Sequence, residues 1–150
     1  MCGIVGFAGR KDAAPILLDG LAKLEYRGYD SAGVCTFHQG KLLIAKKAGR
    51  LQNLADATQQ GKTMPGSIGI GHTRWATHGA PSDINAHPHL SWDGKIAVVH
   101  NGIIENYLPL RKMLLSKGVT FQSETDTEVA CNLIADFYRE NGGDFLKAVE

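Results

Sequence analysis

Cys2 follows the first methionine in "MCGIVGF". A thiol of pKa about 8.5 is mostly protonated near neutrality, so a nucleophilic cysteine needs a base or a cation beside it. If Met1 is removed, Cys2 supplies its own base. Its α-amine then titrates at about 7.7–8.0, two carbons from the sulfur, and can pass a proton to and from the thiol directly or through one water. With Met1 attached, that nitrogen is an amide and has no such capacity. The other reading of Cys2 is a small hydrophobe opening a strand. Three further stretches carry chemistry-bearing residues. "GHTRWATHG" combines a planar cationic fork at Arg74, a flat apolar wall at Trp75, and hydroxyl and imidazole groups at Thr73, Thr77 and His78. Singly, Arg74 reads as a surface salt bridge and Trp75 as core. Together at the mouth of a long loop they favour a site for a carboxylate. "VVHNGIIEN" places Asn101 beside Gly102, which reads equally as two donors for an oxyanion or as a plain Asn-Gly turn. "SETDTEV" places Thr125, Asp126 and Glu128 at a helix start. Capping is the default there, and a carboxylate could also hold an ammonium group.

These groups need a frame. The 150 residues suit one domain, with 43% hydrophobic and 21% charged residues. The net charge of +1, without long runs of either sign, points to neither nucleic acid nor an anionic membrane. No apolar run is long enough to span a bilayer, and the start lacks a basic leader. The cytoplasm is the expected location. The three cysteines, Cys2, Cys35 and Cys131, form no CxxC pair. Cys35 and Cys131 lie in apolar runs and are expected in the core.

Strands are expected at "GIVGFAG", at "SAGVCTFH" and "KLLIAKKA" joined by a turn at "QG", at "SIGIGHT", at "KIAVVH" and, briefly, at "VTFQ". Helices are expected from Asp12 to about Tyr26, from Arg50 to Gln60, from Asn106 to Lys117 and from Asp126 to Gly142, with a fifth starting at Asp144. The stretch 74–91 has no period and reads as a long loop. Hairpins imply antiparallel pairing and an α+β architecture. The last helical pattern stops without a closing glycine, which suggests a chain cut at its C-terminal side. Two motif-like patterns fail. "GIGHTR" has Arg74 where a dinucleotide fingerprint needs its third glycine. "NAHPHL" brings His87 and His89 no cysteine or acidic partner at ligand spacing, so no metal is expected.

"CGIVG", "LEYRGYDSAG", "HTRWATHG", "NAHPH", "VHNGIIEN" and "SETDTEV", in that order from Cys2 to about Val129, resemble the glutaminase domain of the glutamine–fructose-6-phosphate aminotransferases, within the N-terminal-nucleophile glutamine amidotransferases. Related phosphoribosyl-pyrophosphate amidotransferases read more like "HRGQD" and "HNGNL" where this chain has "YRGYD" and "HNGII". The resemblance implies a four-layer αββα sandwich of two antiparallel sheets, incomplete at the C-terminus, spanning 1–150. It implies that Cys2, once unmasked, attacks the side-chain amide of glutamine and releases ammonia and then glutamate. Asn101 and Gly102 would form the oxyanion hole. Arg74 would hold the α-carboxylate beside Thr77 and His78, and Asp126 the α-ammonium. Trp75 and its loop would close the site, His87 would help position that loop, and Arg27 and Gly28 would lie near the nucleophile. No metal or organic cofactor is implied. The implied partner is a sugar-isomerase domain of the same full-length, homo-oligomeric protein. The alternatives are an inactive glutamine-binding fragment and the glutaminase domain of a related amidotransferase.

Overall fold

The computed structural model describes residues 2–76 and 79–150. Chain order is β1 (Gly3–Ala8), α1 (Ala13–Ala22), β2 (Ser31–His38), β3 (Lys41–Ala48), α2 (Leu51–Ala57), β4 (Ile68–Arg74), β5 (His89–Leu90), β6 (Ala97–Val98), α3 (Tyr107–Ser116), α4 (Asp126–Glu140) and α5 (Phe145–Val149), with a short 3-10 turn at Glu25–Arg27 after α1. The first four strands form one antiparallel sheet in the order β1-β4-β2-β3, and β5 and β6 form a second antiparallel pair.

Alternation along the strands gives the large sheet two faces. On the outer face, Val5, Phe7, Ala32, Val34, Leu43 and Ala45 meet Ala14, Leu17 and Leu21 of α1 and Leu51 and Leu54 of α2. Leu17 and Leu21 lie one helical turn apart, so a single stripe of α1 is buried. The inner face receives the 87–97 segment. At Gly33 of β2 an added Cβ would lie 2.1 Å from the His87 carbonyl oxygen, so the chain crosses the sheet where no side chain intervenes. Beyond that segment lie two smaller cores, one of Ile96, Cys131 and Ala135, the other of Leu114, Val119 and Val129, and Trp92 packs against both. The layers therefore run helices, sheet, sheet, helices, as the α+β sandwich requires. Cys35 and Cys131 are buried as expected, and burial pushes both thiols up to about 12.

Several expected elements differ. α1 ends at Ala22 rather than near Tyr26, and Asp12 makes no side-chain capping bond. α2 stops at Ala57; the residues to Gly61 form turns, with Gln59, Gln60 and Gly61 at positive φ. "VTFQ" forms no strand: the Val119 N–H goes to the Leu114 carbonyl and the Gln122 N–H to the Glu128 carboxylate, so neither serves a ladder. "KIAVVH" pairs only at Ala97–Val98. Its continuation leaves the sheet because the His100 N–H donates to His87 Nδ1 at 3.3 Å. β5, inside the expected loop, is a two-residue strand set by tertiary pairing with β6.

Candidate active site

The β1–β4 register is Gly3↔Thr73, and Ser31 of β2 lies opposite Arg74. Cys2 therefore lies alongside Arg74 at the end of the sheet. Its Sγ accepts from the Trp75 backbone N–H at 3.4 Å and lies 3.8 Å from the Trp75 carbonyl. The neighbouring Ala76 N–H donates to Asp30 Oδ2, which also fixes the chain as it leaves β4.

Cys2, His72, Arg74, Trp75, His87, His100, Asn101, Gly102, Thr125, Asp126 and Thr127 line one narrow cleft. A larger hollow of about 500 Å³ lies against Phe37, Leu42, Ile68, Ile70 and Tyr138. It is mainly apolar, and the chemistry-bearing groups do not converge there.

Arg74 is 3% exposed, and its Nη2 donates to the Gly79 carbonyl at 3.0 Å. The guanidinium is thus held rigidly at the cleft wall while its strand brings it beside the thiol. Asp126 opens α4 behind Thr125, whose hydroxyl takes the Glu128 N–H as the helix cap. Capping thus falls to Thr125, which leaves the Asp126 carboxylate directed elsewhere. Its Oδ2 accepts the Ile104 N–H at 2.7 Å, tying the start of α4 to the segment that carries Asn101 and Gly102.

Asn101 and Gly102 are exposed at the cleft. Gly102 is not among the described glycines at positive φ, so an Asn-Gly hairpin-type turn is not what this pair makes. A Cβ there would lie 2.8 Å from His100 Nε2. A larger residue there would have to push the His100 ring aside, and that ring is placed by the approach of its Nδ1 to Thr127 Oγ1 at 3.2 Å.

Behind this loop is a file of buried imidazoles. His72 stacks on His87 with centroids 4.4 Å apart, and His87 meets His89 edge-on at 4.7 Å. His89 Nε2 pairs with Thr125 Oγ1 at 2.9 Å. Burial, reinforced by neighbouring positive charge, pushes His72 down to about 4, His89 down to about 3 and His87 further still. All three are uncharged at neutral pH. His87 lines the cleft, and its hydrogen bond goes to the His100 backbone.

Of the sequence-derived site residues, the fold brings Cys2, Arg74, Trp75, His87, Asn101, Gly102 and Asp126 to this cleft. Arg27 and Gly28 lie in the turn before β2, outside the cleft-lining set. Thr77 and His78 lie outside the described residues. His72, His100, Thr125 and Thr127 also line the site; they lie within "GHTRWATHG", "VVHNGIIEN" and "SETDTEV", but residue type and spacing there give them no role at a cleft. For His72 a signal existed: on a strand it shares a face with Arg74, two residues on.

A glutamine amidotransferase domain family matches residues 50–150. The glutamine–fructose-6-phosphate aminotransferase [isomerizing] of Caldanaerobacter subterraneus is 60% identical over 99% of this chain and 24% of its own length. That of Aquifex aeolicus is 58% identical over 99% of this chain, again 24% of the relative. The chain thus spans about a quarter of the curated relatives it matches. Among solved structures, the glutamine phosphoribosylpyrophosphate amidotransferase from B. subtilis superimposes with a TM-score of 0.74 at 30% identity, over 90% of this chain and 29% of that one.

Proposed function

Because this chain belongs to the glutamine amidotransferase domain family, we propose that it hydrolyses L-glutamine to L-glutamate and ammonia through a γ-glutamyl thioester on Cys2. One observation carries the reading: a thiol, a buried guanidinium, a carboxylate and an Asn-Gly pair from four separated stretches line the same cleft. Removal of Met1 frees the Cys2 α-amine as the base. Sγ attacks the amide carbon, Asn101 and the Gly102 N–H stabilise the oxyanion, and the thiol proton reaches the leaving nitrogen through the amine. Water then releases glutamate by the reverse path. Arg74 holds the α-carboxylate with Thr77 and His78 beside it, Asp126 holds the α-ammonium, and Trp75 covers the bound substrate. Arg27 and Gly28, in the turn before β2, are assigned to the neighbourhood of the nucleophile and given no chemical step.

In its full-length form the protein passes the ammonia to fructose 6-phosphate, bound by a sugar-isomerase domain of the same chain, in a cytoplasmic homo-oligomer. Relatives 55–60% identical carry that aminotransferase name, whereas the phosphoribosylpyrophosphate enzyme is 30% identical. That difference favours the sugar-phosphate reading over the related amidotransferase. The test is glutamine hydrolysis by the purified protein with its N-terminal mass recorded. Turnover by protein lacking Met1, and none by protein retaining it, is expected. Equal turnover by both forms would overturn the amine's role, and none by either would overturn the glutaminase reading.

A further inference from the structure

His72 is 1% exposed, and neither of its ring nitrogens has a hydrogen-bond partner among the described residues. Unsatisfied buried polar atoms cost stability, and native structures keep few of them. Here the pair occurs on a residue that lines the candidate active site. His72 lies on the inner face of β4, two residues before Arg74, opposite Ile4 of β1 and Gly33 of β2. One face of its ring is closed by the His87 stack. The ring is uncharged, because burial, Arg74 and His100 all disfavour the proton. They outweigh the opposing pull of the nearby His100 backbone, which falls short of hydrogen-bond geometry. A neutral imidazole offers one donor and one acceptor.

The glutaminase reading, on which this inference rests, gives a partner to each polar group of glutamine except the amide nitrogen. Arg74 and Asp126 serve the α-carboxylate and α-ammonium, and Asn101 and Gly102 serve the carbonyl oxygen. The amide nitrogen carries N–H donors and, after C–N cleavage, leaves as ammonia, which carries more. We propose that His72 is a substrate-contacting residue whose unprotonated ring nitrogen accepts a hydrogen bond from the amide nitrogen of glutamine and from the ammonia that nitrogen becomes. In the step itself, Sγ bonds to the amide carbon, the C–N bond breaks, and the thiol proton moves through the α-amine to the departing nitrogen. His72 takes no proton; it orients the leaving group.

His72→Phe tests this, because phenylalanine keeps a flat ring against His87 and removes both nitrogens. The variant is compared with the parent protein on glutamine and on the γ-methyl ester of glutamate, which has the same carbonyl and no N–H on its leaving group. The expected result is a kcat/KM roughly tenfold lower on glutamine, unchanged within about twofold on the ester, together with a raised Tm. An equal fall on both substrates, or none on glutamine, overturns the proposal. If the phenylalanine variant does not fold, His72→Leu carries the same amide-to-ester comparison, and the same outcomes support or overturn it. A parent protein inactive on both substrates overturns the glutaminase reading instead, and this inference with it.

Discussion

The Trp75 backbone N–H donates to Cys2 Sγ at 3.4 Å, so the chain leaving β4 is bonded to the proposed nucleophile itself. Asp30 holds the next N–H, that of Ala76, so the contact is fixed from the β2 side as well. A serine oxygen sits closer to its Cβ than sulfur does and is far less nucleophilic. Cys2→Ser is expected to lower glutamine turnover on the order of 10³-fold or more, while glutamate binding stays within a few-fold. Turnover assays and calorimetric titration with glutamate measure the two. Turnover near the parent level would remove Cys2 as the nucleophile.

Arg74→Lys separates charge from shape. The guanidinium is buried and donates to the Gly79 and Ala80 carbonyls from one rigid plane. A lysine keeps the charge and loses both the fork and the ability to face two partners at once. KM for glutamine is expected to rise roughly tenfold or more, with kcat changed less. A parent-like KM would take the α-carboxylate away from Arg74.

What the sequence carried was the chemistry of short motifs and the period of long elements. Cys2, Arg74, Asn101, Gly102 and Asp126 were legible because each sits in a stretch whose residue types imply a reaction. The β2–β3 hairpin and α4 were legible because their apolar spacing extends over many residues. His100 and Thr127 were not, because their place at the cleft depends on the loop after β6 meeting the start of α4, a contact between segments 27 residues apart. The cleft position of His72 depends on the β1–β4 register, another long-range fact. The second sheet was only partly legible for the same reason. Its strands are two residues long, and Glu128 and His87 take N–H groups that local propensity assigns to strands.

The imidazole file sets a pH dependence. His72 and His89 are pushed down to about 4 and about 3, from about 6.5 in the unfolded chain. Below pH 6.5 the unfolded state therefore binds protons that the folded state refuses, and stability falls as pH falls. The loss begins near pH 6.5 and continues until the folded-state values are reached, at up to about 1.4 kcal/mol per pH unit for each imidazole. Because His87 contacts both neighbours, the three titrate as a cluster. Urea unfolding at pH 7, 6 and 5 is expected to show this slope, and His89→Gln to flatten it. A free energy of unfolding constant over that range would contradict it.

Gly33 links the sheet to the site most tightly. An added Cβ would meet the His87 carbonyl oxygen at 2.1 Å and the Ala45 carbonyl oxygen at 3.1 Å, and both obstacles are backbone. Neither can turn aside as a side chain would. Gly33→Ala must therefore lift the 87–89 segment off β2 or bend the strand, at a cost of about 1–3 kcal/mol or more. The displacement reaches the site directly, because His87 Nδ1 accepts the His100 N–H one residue before Asn101. The variant is expected to lose stability and to lose kcat more than KM, since the proposed oxyanion donors move while Arg74 and Asp126 are held by other elements. Gly94→Ala is the control for glycine replacement on an exposed turn: it has open space at its Cβ and bears only the strain of its positive φ. It should lose some stability and keep its kcat. If Gly33→Ala kept both its Tm and its kcat, the close crossing of His87 over β2 would not be what holds the Asn101–Gly102 loop.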